Sequence, residues 1–224
     1  MATKPKSEQI HDLDRLRERL VDAMLPHVAF DGWSETSLLA GARDLKLEPG
    51  LVMAALPGGP AEAARAFSEL TDRRMLEAVP AAELAGLRVR DRVSALLRAR
   101  FALLEPHHEA MRRLASFLAL PPHAALGAKL AWKTCDAIWY AAGDTATDYN
   151  WYSKRSLLLG VLGTTSLYWL NDRSEGREAT RAFLERRIDE VLKIGGTLGK
   201  GMARILDLPE HLLGRRLRPR MRVR

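Results

Sequence analysis

The stretch that decides the fold is WKTCDAIWYAAGDTATDYNWYSKRSLLLGVLGTTSLYWLND, residues 132–172, which holds four of the five Trp. Helical spacing is present on both sides of the turn-forming Gly143-Asp144-Thr145. Trp and Tyr bring large hydrophobic surfaces with a polar group at one end. The stretch therefore predicts two helices, residues 123–142 and 149–170, joined by a loop and rich in core aromatics.

Helical periodicity continues in both directions from this stretch. Leu13, Leu16, Leu20, Met24 and Val28 follow one another at spacings of three and four, which is one face of a first helix. No segment alternates in the way of a strand, so the prediction is an all-α fold. Further helices are predicted over residues 50–56, 61–79, 84–104, 106–120 and 177–194.

The composition sets limits on size and location. The 224 residues suit one domain, or one domain with a small appendage, and the apolar share of 47% is enough for a core. No run of about 18 apolar residues exists, so no membrane span is predicted. The first residues carry acids and lack an apolar region, so neither a secretory signal nor a transit peptide is predicted. The single Cys135 fits a reducing compartment.

The net charge of +7 is concentrated at the C-terminus. Residues 214–224 contain six Arg and no acid, so the rest of the chain carries about +1. After a glycine-rich hinge at residues 195–201, the apolar residues from Leu198 to Leu213 fall on one side of a helix, as in interfacial membrane helices. The alternative is an ordinary final helix packed on its own domain. The predicted membrane-binding residues are Leu198, Met202, Ile205, Leu206, Leu212, Leu213, Arg215 and Arg216.

The N-terminal third has the layout of a TetR-type DNA-binding unit, with two short helices between a first helix and a longer fourth one. Ser34 can cap the second helix, in which Leu38, Leu39 and Ala42 face inward. A DNA-reading third helix needs side chains that hydrogen-bond to base edges. The third helix here, EPGLVMAAL at residues 48–56, has none that can do so and is acidic at its start. A degenerate helix-turn-helix without specific DNA binding is therefore predicted, the alternative being a TetR-type ligand-responsive transcription regulator.

Residues that could carry catalysis are few. Glu8/His11 and Glu105/His108 have the Glu-x-x-His spacing of di-iron bundles, but such a site needs two pairs on facing helices and two further Glu. No nucleophile-elbow, P-loop or dinucleotide motif occurs. We therefore expect no catalytic residue and no metal, with a metal enzyme as a third alternative.

Trp151 and Tyr152 are adjacent aromatics just after the polar loop. Neighbours on a helix point about 100° apart, so both cannot face the interior. An exposed Trp beside Asp148 and Arg155 is typical of a protein-binding hot spot. The alternative is that Trp151 covers the edge of the core, and composition alone does not decide between the two.

Three segments resemble the COQ9 family of ubiquinone-biosynthesis accessory proteins. They are DAMLPHVAFDGWSETSL (22–38), WYAAGDTATDYNWYSKRSLLLGVLGTTSLYWLND (139–172) and FLERRIDEVLKIG (183–195). The resemblance implies a TetR-like fold that does not regulate transcription, an internal lipid cavity, a terminal membrane helix, and docking to the di-iron hydroxylase that modifies demethoxyubiquinone. It places Asp148, Trp151, Tyr152 and Arg155 on the docking surface. The Arg-rich C-terminus departs from the family, so its membrane affinity rests on charge and apolar pattern.

The sequence thus predicts an all-α, TetR-like helical bundle with four parts. These are a flexible N-terminus (1–11), a degenerate helix-turn-helix (12–60), a helical ligand-binding core (61–195), and a hinge, amphipathic membrane helix and basic tail (196–224). The expected function is non-enzymatic: the protein contacts membrane lipid, binds a polyprenylated quinone precursor at the membrane and assists the hydroxylase. We expect a homodimer, peripheral at the cytoplasmic face of a bacterial inner membrane, with no cofactor but a bound isoprenoid or phospholipid. The predicted lipid-lining residues, in helices after the fourth, are Leu96, Phe101, Met111, Leu114, Phe117, Leu118, Trp132 and Leu158.

Overall fold

The computed structural model describes the backbone of residues 6–144 and 149–206, and the side chains of residues 12–144, 151–191 and 193. Within these ranges the protein is helical and has no strand, which confirms the all-α prediction. Short 3-10 turns at Glu105–His107 and Glu175–Arg177 precede the seventh and tenth helices. The α-helices are α1 (Lys6–Asp31), α2 (Glu35–Asp44), α3 (Pro49–Ala55), α4 (Gly59–Ala78), α5 (Ala81–Ala85), α6 (Val89–Leu104), α7 (His108–Ala119), α8 (Pro121–Ala141), α9 (Tyr149–Asn171) and α10 (Glu178–Leu206).

The N-terminal unit forms as its sequence predicts. The Ser34 side chain accepts a hydrogen bond from the Ser37 backbone N–H and caps α2. α2 crosses α1 at Gly41, where a Cβ atom would lie 2.7 Å from the Met24 nitrogen, so only glycine permits this approach. Leu38 is buried, but Leu39 is half-exposed, and its predicted inward direction is wrong because it is one step around the helix from Leu38.

Two hydrophobic clusters make up the core. The first joins α1–α4 to α6, α7 and the end of α9, and the second joins α4–α6 to α8, α9 and α10. A buried ion pair between Asp72 of α4 and Arg100 of α6 is completed by Thr134 of α8, whose hydroxyl donates to Asp72 at 3.0 Å. Because both charges are paired and hydrogen-bonded, the interior tolerates them.

Two predicted boundaries are corrected. Residues 84–104 form two helices, α5 and α6, because the Arg92 guanidinium donates to the carbonyls of Leu87 (2.8 Å) and Ala85 (3.2 Å) and ends α5. α10 continues through the glycine-rich residues 195–201 to Leu206, so the predicted hinge is not a break in this helix. Glycine lowers helix propensity by about 1 kcal/mol but does not forbid a helix.

Among the described residues, no helix combines the length and the apolar character needed to cross a membrane.

Candidate functional sites

Three aromatic rings meet where the start of α9 packs on α8. The ring centroid of Trp132 lies 5.7 Å from that of Trp151 and 6.4 Å from that of Tyr152, and the last two rings are 4.7 Å apart. The Tyr152 residue is 61% exposed, whereas Trp132 and Trp151 are half-buried. We call Trp132, Trp151 and Tyr152 the aromatic surface. Its rings present both apolar area and polar groups to solvent.

Arg155 lies beneath the aromatic surface and holds it in place. Its guanidinium carbon is 4.1 Å from the centroid of the Trp151 ring, a cation–π contact. Its Nε donates to Asp136 at 2.6 Å and its Nη1 to Asp144 at 3.0 Å, while Nη1 also donates to the Trp151 carbonyl at 3.1 Å. The Arg155 and Asp144 side chains are each only 3% exposed. This buried network ties α9 to the end of α8.

The turn after α8 makes this network possible. Gly143 has a φ of +88°, and a Cβ atom there would lie 3.0 Å from the Arg92 guanidinium. Arg92 in turn donates to the Ala142 carbonyl at 3.1 Å. The next residue, Asp144, also accepts from Lys154 at 2.6 Å. Gly143 and Asp144, the described residues of this loop, therefore help to position α9.

The four predicted docking residues do not all lie on the surface of the protein. Trp151 and Tyr152 lie in the aromatic surface, and Asp148 is outside the described residues. Arg155 is buried and its charge is taken by two carboxylates, so its predicted place on the surface is corrected: it supports the surface from below. Trp151 is half-buried, so one part of its ring covers the edge of the core and another part is exposed to solvent.

A pocket of about 910 Å³ lies at the other end of α9, against α6 and the start of α10. Buried Phe101, Trp169 and Leu184 contribute apolar lining, and the Phe101 and Trp169 ring centroids are 5.7 Å apart. The charged lining residues are four arginines and one glutamate, Glu105, and Ser174 and Thr180 are neutral polar lining residues. The pocket therefore combines an apolar side with a basic one.

Two of these arginines are already paired. Glu105 accepts from Arg177 at 2.9 Å and from the Trp169 indole at 2.8 Å. Burial acts to raise the pKa of Glu105, but these hydrogen bonds outweigh it and hold the pKa below its usual range. Arg98 lies 3.4 Å from Glu185.

The residues predicted to line a lipid-binding cavity do not lie around one cavity. Only Phe101 lines this pocket. Leu96 and Leu158 are buried in the second core cluster, and Trp132 belongs to the aromatic surface. Met111, Leu114, Phe117 and Leu118 lie in or against the first cluster, because α7 packs on α1 and α8. Trp169 was missed by the sequence analysis, although it continues the buried face of α9.

The predicted membrane-binding residues lie outside the described side chains. The backbone at Leu198, Met202, Ile205 and Leu206 belongs to α10, while Leu212, Leu213, Arg215 and Arg216 are outside the described ranges. Their role stays a prediction.

The other chemical candidates have structural partners. His108 contacts the Trp169 carbonyl at 3.3 Å, next to Glu105. No group of three or more His, Cys, Asp or Glu in the described side chains could hold a metal ion. Burial raises the pKa of the Cys135 thiol to about 12, as expected for an inert core cysteine. On α3, the helix that would read DNA in a TetR-type regulator, the exposed side chains include Leu51 and Met53, which cannot hydrogen-bond to base edges.

A solved structure with the same fold is the TetR transcriptional regulator from Nitrosomonas europaea. It superposes with a TM-score of 0.64 at 20% sequence identity, over 80% of this chain and 98% of that one. The chain is therefore a TetR-like helical protein in fold, which at this identity carries no function with it.

Sequence comparison supports the resemblance to the COQ9 family. The COQ9 family model matches residues 124–195, which span both helices of the aromatic surface. Proteins named "Ubiquinone biosynthesis protein COQ9, mitochondrial" are similar over most of this chain: 31% identical in Xenopus tropicalis over 85% of it, and 28% in Homo sapiens over 86%. In sequence, the chain is therefore similar to the COQ9 family. It spans 62% of the length of each of these two relatives.

The comparisons also correct the expected location. The relatives from Drosophila melanogaster, Homo sapiens and Dictyostelium discoideum are all named mitochondrial. This overturns the prediction of a bacterial inner-membrane protein, which rested only on the residues at the start of the sequence.

Proposed function

We propose that this chain is a non-enzymatic accessory protein of ubiquinone biosynthesis, mitochondrial like its named relatives. In this role it binds a polyprenylated quinone precursor and docks on the di-iron demethoxyubiquinone hydroxylase. Homodimer formation and membrane attachment through residues 196–224 are further parts of the proposal.

The observation that carries the docking role is the aromatic surface over the buried Arg155–Asp144 ion pair. Trp and Tyr dominate the energetics of protein interfaces when a rigid support holds them in place. Here Arg155 fixes Trp151 by a cation–π contact and by a hydrogen bond to its carbonyl. A support that is already ordered lowers the entropy cost of binding, so this surface suits a stable docking site.

The lipid-binding role is supported by the pocket at the end of α9. Its volume of about 910 Å³ is in the range of pockets that hold small organic ligands, about 300–1,000 Å³. Phe101, Trp169 and Leu184 give it the apolar side that a prenyl chain requires.

Titration of the purified hydroxylase with Trp151→Ala and Tyr152→Ala tests the docking role. Each variant should bind roughly thirtyfold or more weakly, the effect of about 2 kcal/mol at a hot spot. Tyr152→Ala should lose no more than about 1 kcal/mol of stability, because Tyr152 is 61% exposed and loses only its contacts with the two Trp rings. Trp151→Ala should lose about 1–2 kcal/mol of stability through its lost ring and cation contacts.

Tyr168→Ala is the matched control, since Tyr168 is a partly exposed ring on the same helix, stacked at 4.4 Å on Phe183. It should bind the hydroxylase as the wild type does. Equal affinity of all three variants and the wild type would reject the aromatic surface as the docking site. Mass spectrometry of lipids extracted from the purified chain tests the lipid role, which an extract without any isoprenoid or phospholipid would contradict.

A further inference from the structure

Two arginines on the rim of the pocket have no acidic partner among the described side chains. Arg173, in the turn after α9, and Arg181, in the second turn of α10, are both exposed. Within the part of the chain that the structure describes, neither forms an ion pair, unlike Arg98 and Arg177 beside them. Their charges are therefore available to an anion from outside the protein.

The segment that carries both arginines has a fixed backbone. The Asp172 carboxylate accepts from the Ser174 N–H at 2.8 Å, from the Thr180 N–H at 2.9 Å and from the Thr180 hydroxyl at 2.6 Å. These bonds tie the turn that holds Arg173 to the start of α10 that holds Arg181. The two guanidinium groups are thus attached to one preorganised element.

The apolar side of the pocket adjoins these charges. Phe101 and Trp169 form an aromatic pair there, with Ala99 and Ala102 from α6 beside them. A small inorganic anion would use only the arginines and would leave this side unfilled. A ligand that uses the whole pocket needs an anionic group and an apolar chain.

We propose that the pocket binds a phosphate-bearing amphiphile, with the phosphate on Arg173 and Arg181 and the apolar chain along Phe101 and Trp169. Guanidinium groups bind phosphate oxygens through paired N–H donors, which makes arginine suited to this task. The proposal rests on the lipid-binding part of the proposed function and adds that the head group is an anion. The phosphate belongs to a lipid head group or to a shorter phosphomonoester, and the two share this chemistry.

Calorimetric titration of the full chain with octyl phosphate, below the concentration at which it forms micelles, tests the proposal. Octanol probes the contribution of the alkyl chain alone and inorganic phosphate that of the head group alone. Each should bind more weakly than octyl phosphate. The double variant Arg173→Ala/Arg181→Ala should bind octyl phosphate about tenfold or more weakly, since it loses two charge-assisted contacts. Arg19→Ala/Arg43→Ala makes the same change in net charge at exposed positions outside the pocket and should bind as the wild type does.

Filling the apolar side gives a second, independent variant. Ala102 is exposed and lines the pocket, so Ala102→Phe should fold normally. It should weaken octyl phosphate and leave inorganic phosphate unchanged. Equal affinity for octyl phosphate and inorganic phosphate, or an equal loss in the Arg19/Arg43 control, would overturn the proposal. To tell a lipid head group from a shorter ester, a short-chain phosphatidic acid is compared with octyl phosphate, and the tighter binder identifies the source.

Failure here is distinct from failure of the proposed function. If the purified chain carries an uncharged quinone precursor while the Arg173/Arg181 variant binds octyl phosphate normally, the lipid role stands and the anion site falls. If the variants behave as expected but no lipid is extracted, the site stands without its proposed role.

Discussion

Replacing Arg155 by methionine removes the charge beneath the aromatic surface and keeps most of the side-chain volume. The Asp144 carboxylate, only 3% exposed, then loses its contact with Arg155. Breaking a buried pair from one side costs about 3–5 kcal/mol. We expect the lower end, about 3 kcal/mol, because Asp144 keeps its pair with Lys154 and Asp136 is 48% exposed.

Thermal unfolding followed by circular dichroism measures this loss. For a chain of this size, each kcal/mol lowers the melting temperature by about 2–4 °C, so Arg155→Met should melt roughly 6–12 °C earlier. The control is Arg186→Met, since Arg186 is an exposed arginine 5.9 Å from the Phe183 ring, and its loss should change stability by no more than about 0.5 kcal/mol.

A second substitution tests the reason for the loss. Asp144→Asn alone should destabilise the protein, because it leaves buried Arg155 with one carboxylate fewer. In the Arg155→Met background the same change should stabilise it, because it removes a carboxylate that has lost a partner. If Asp144→Asn is destabilising in both backgrounds by the same amount, Arg155 and Asp144 are not coupled and the reasoning fails. A loss below about 1 kcal/mol in Arg155→Met would also refute it.

Two further predictions concern acid stability and thiol reactivity. Burial acts to raise the pKa of Asp172, but hydrogen bonds from Thr180 and Ser174 outweigh it and hold the pKa well below its usual range. The ionised Asp172 carboxylate should therefore stabilise the fold fully above about pH 4, and this stabilisation should be lost as the pH falls through the lowered pKa. In urea unfolding, Asp172→Asn should be less stable than wild type by about 1–3 kcal/mol at pH 7. In strong acid the two proteins should be nearly equal in stability. A difference that does not change with pH would exclude this carboxylate as its source. Cys135, with a pKa of about 12, should resist a thiol reagent at pH 8 until the protein unfolds, and fast labelling of the native protein would contradict its burial.

Local spacing was sufficient to predict most of the fold. Leu20, Met24 and Val28, chosen at helical spacing, are all fully buried, and Ser34 caps α2 as its side chain predicts. Spacing does not identify the packed side of α9, which is apolar on nearly all sides: Leu170 is buried, whereas Leu167 is 62% exposed. A helix without a polar face does not reveal which side packs.

The candidate sites were harder to predict, because each depends on residues that meet only in the folded chain. An arginine four residues after Trp151 gives no sign of burial in the sequence. Arg155 is buried because Asp136 of α8 and Asp144 of the turn after α8 both accept hydrogen bonds from it. The pocket joins Phe101 to Arg181, which are far apart in the sequence. Trp169 continues the buried face of Leu158 and Leu162, a signal present in the sequence but not used.

The two candidate sites lie at opposite ends of one helix, and this predicts that they act independently. Trp151 and Trp169 are 18 residues apart on α9, which is about 27 Å along the axis. Residues at such a distance, with no shared partner, usually contribute to stability or binding within about 0.5 kcal/mol of additivity.

Trp151→Ala should therefore leave the affinity for octyl phosphate within about twofold of wild type, and Arg173→Ala/Arg181→Ala should do the same for the hydroxylase. Both affinities can be measured on the same preparations. A change of fivefold or more in either experiment would mean that α9 transmits a conformational change between its ends. By linkage, the bound hydroxylase would then alter the affinity of the pocket by the same factor as the ligand alters docking. Independence, in contrast, lets the pocket stay loaded while the aromatic surface engages its partner.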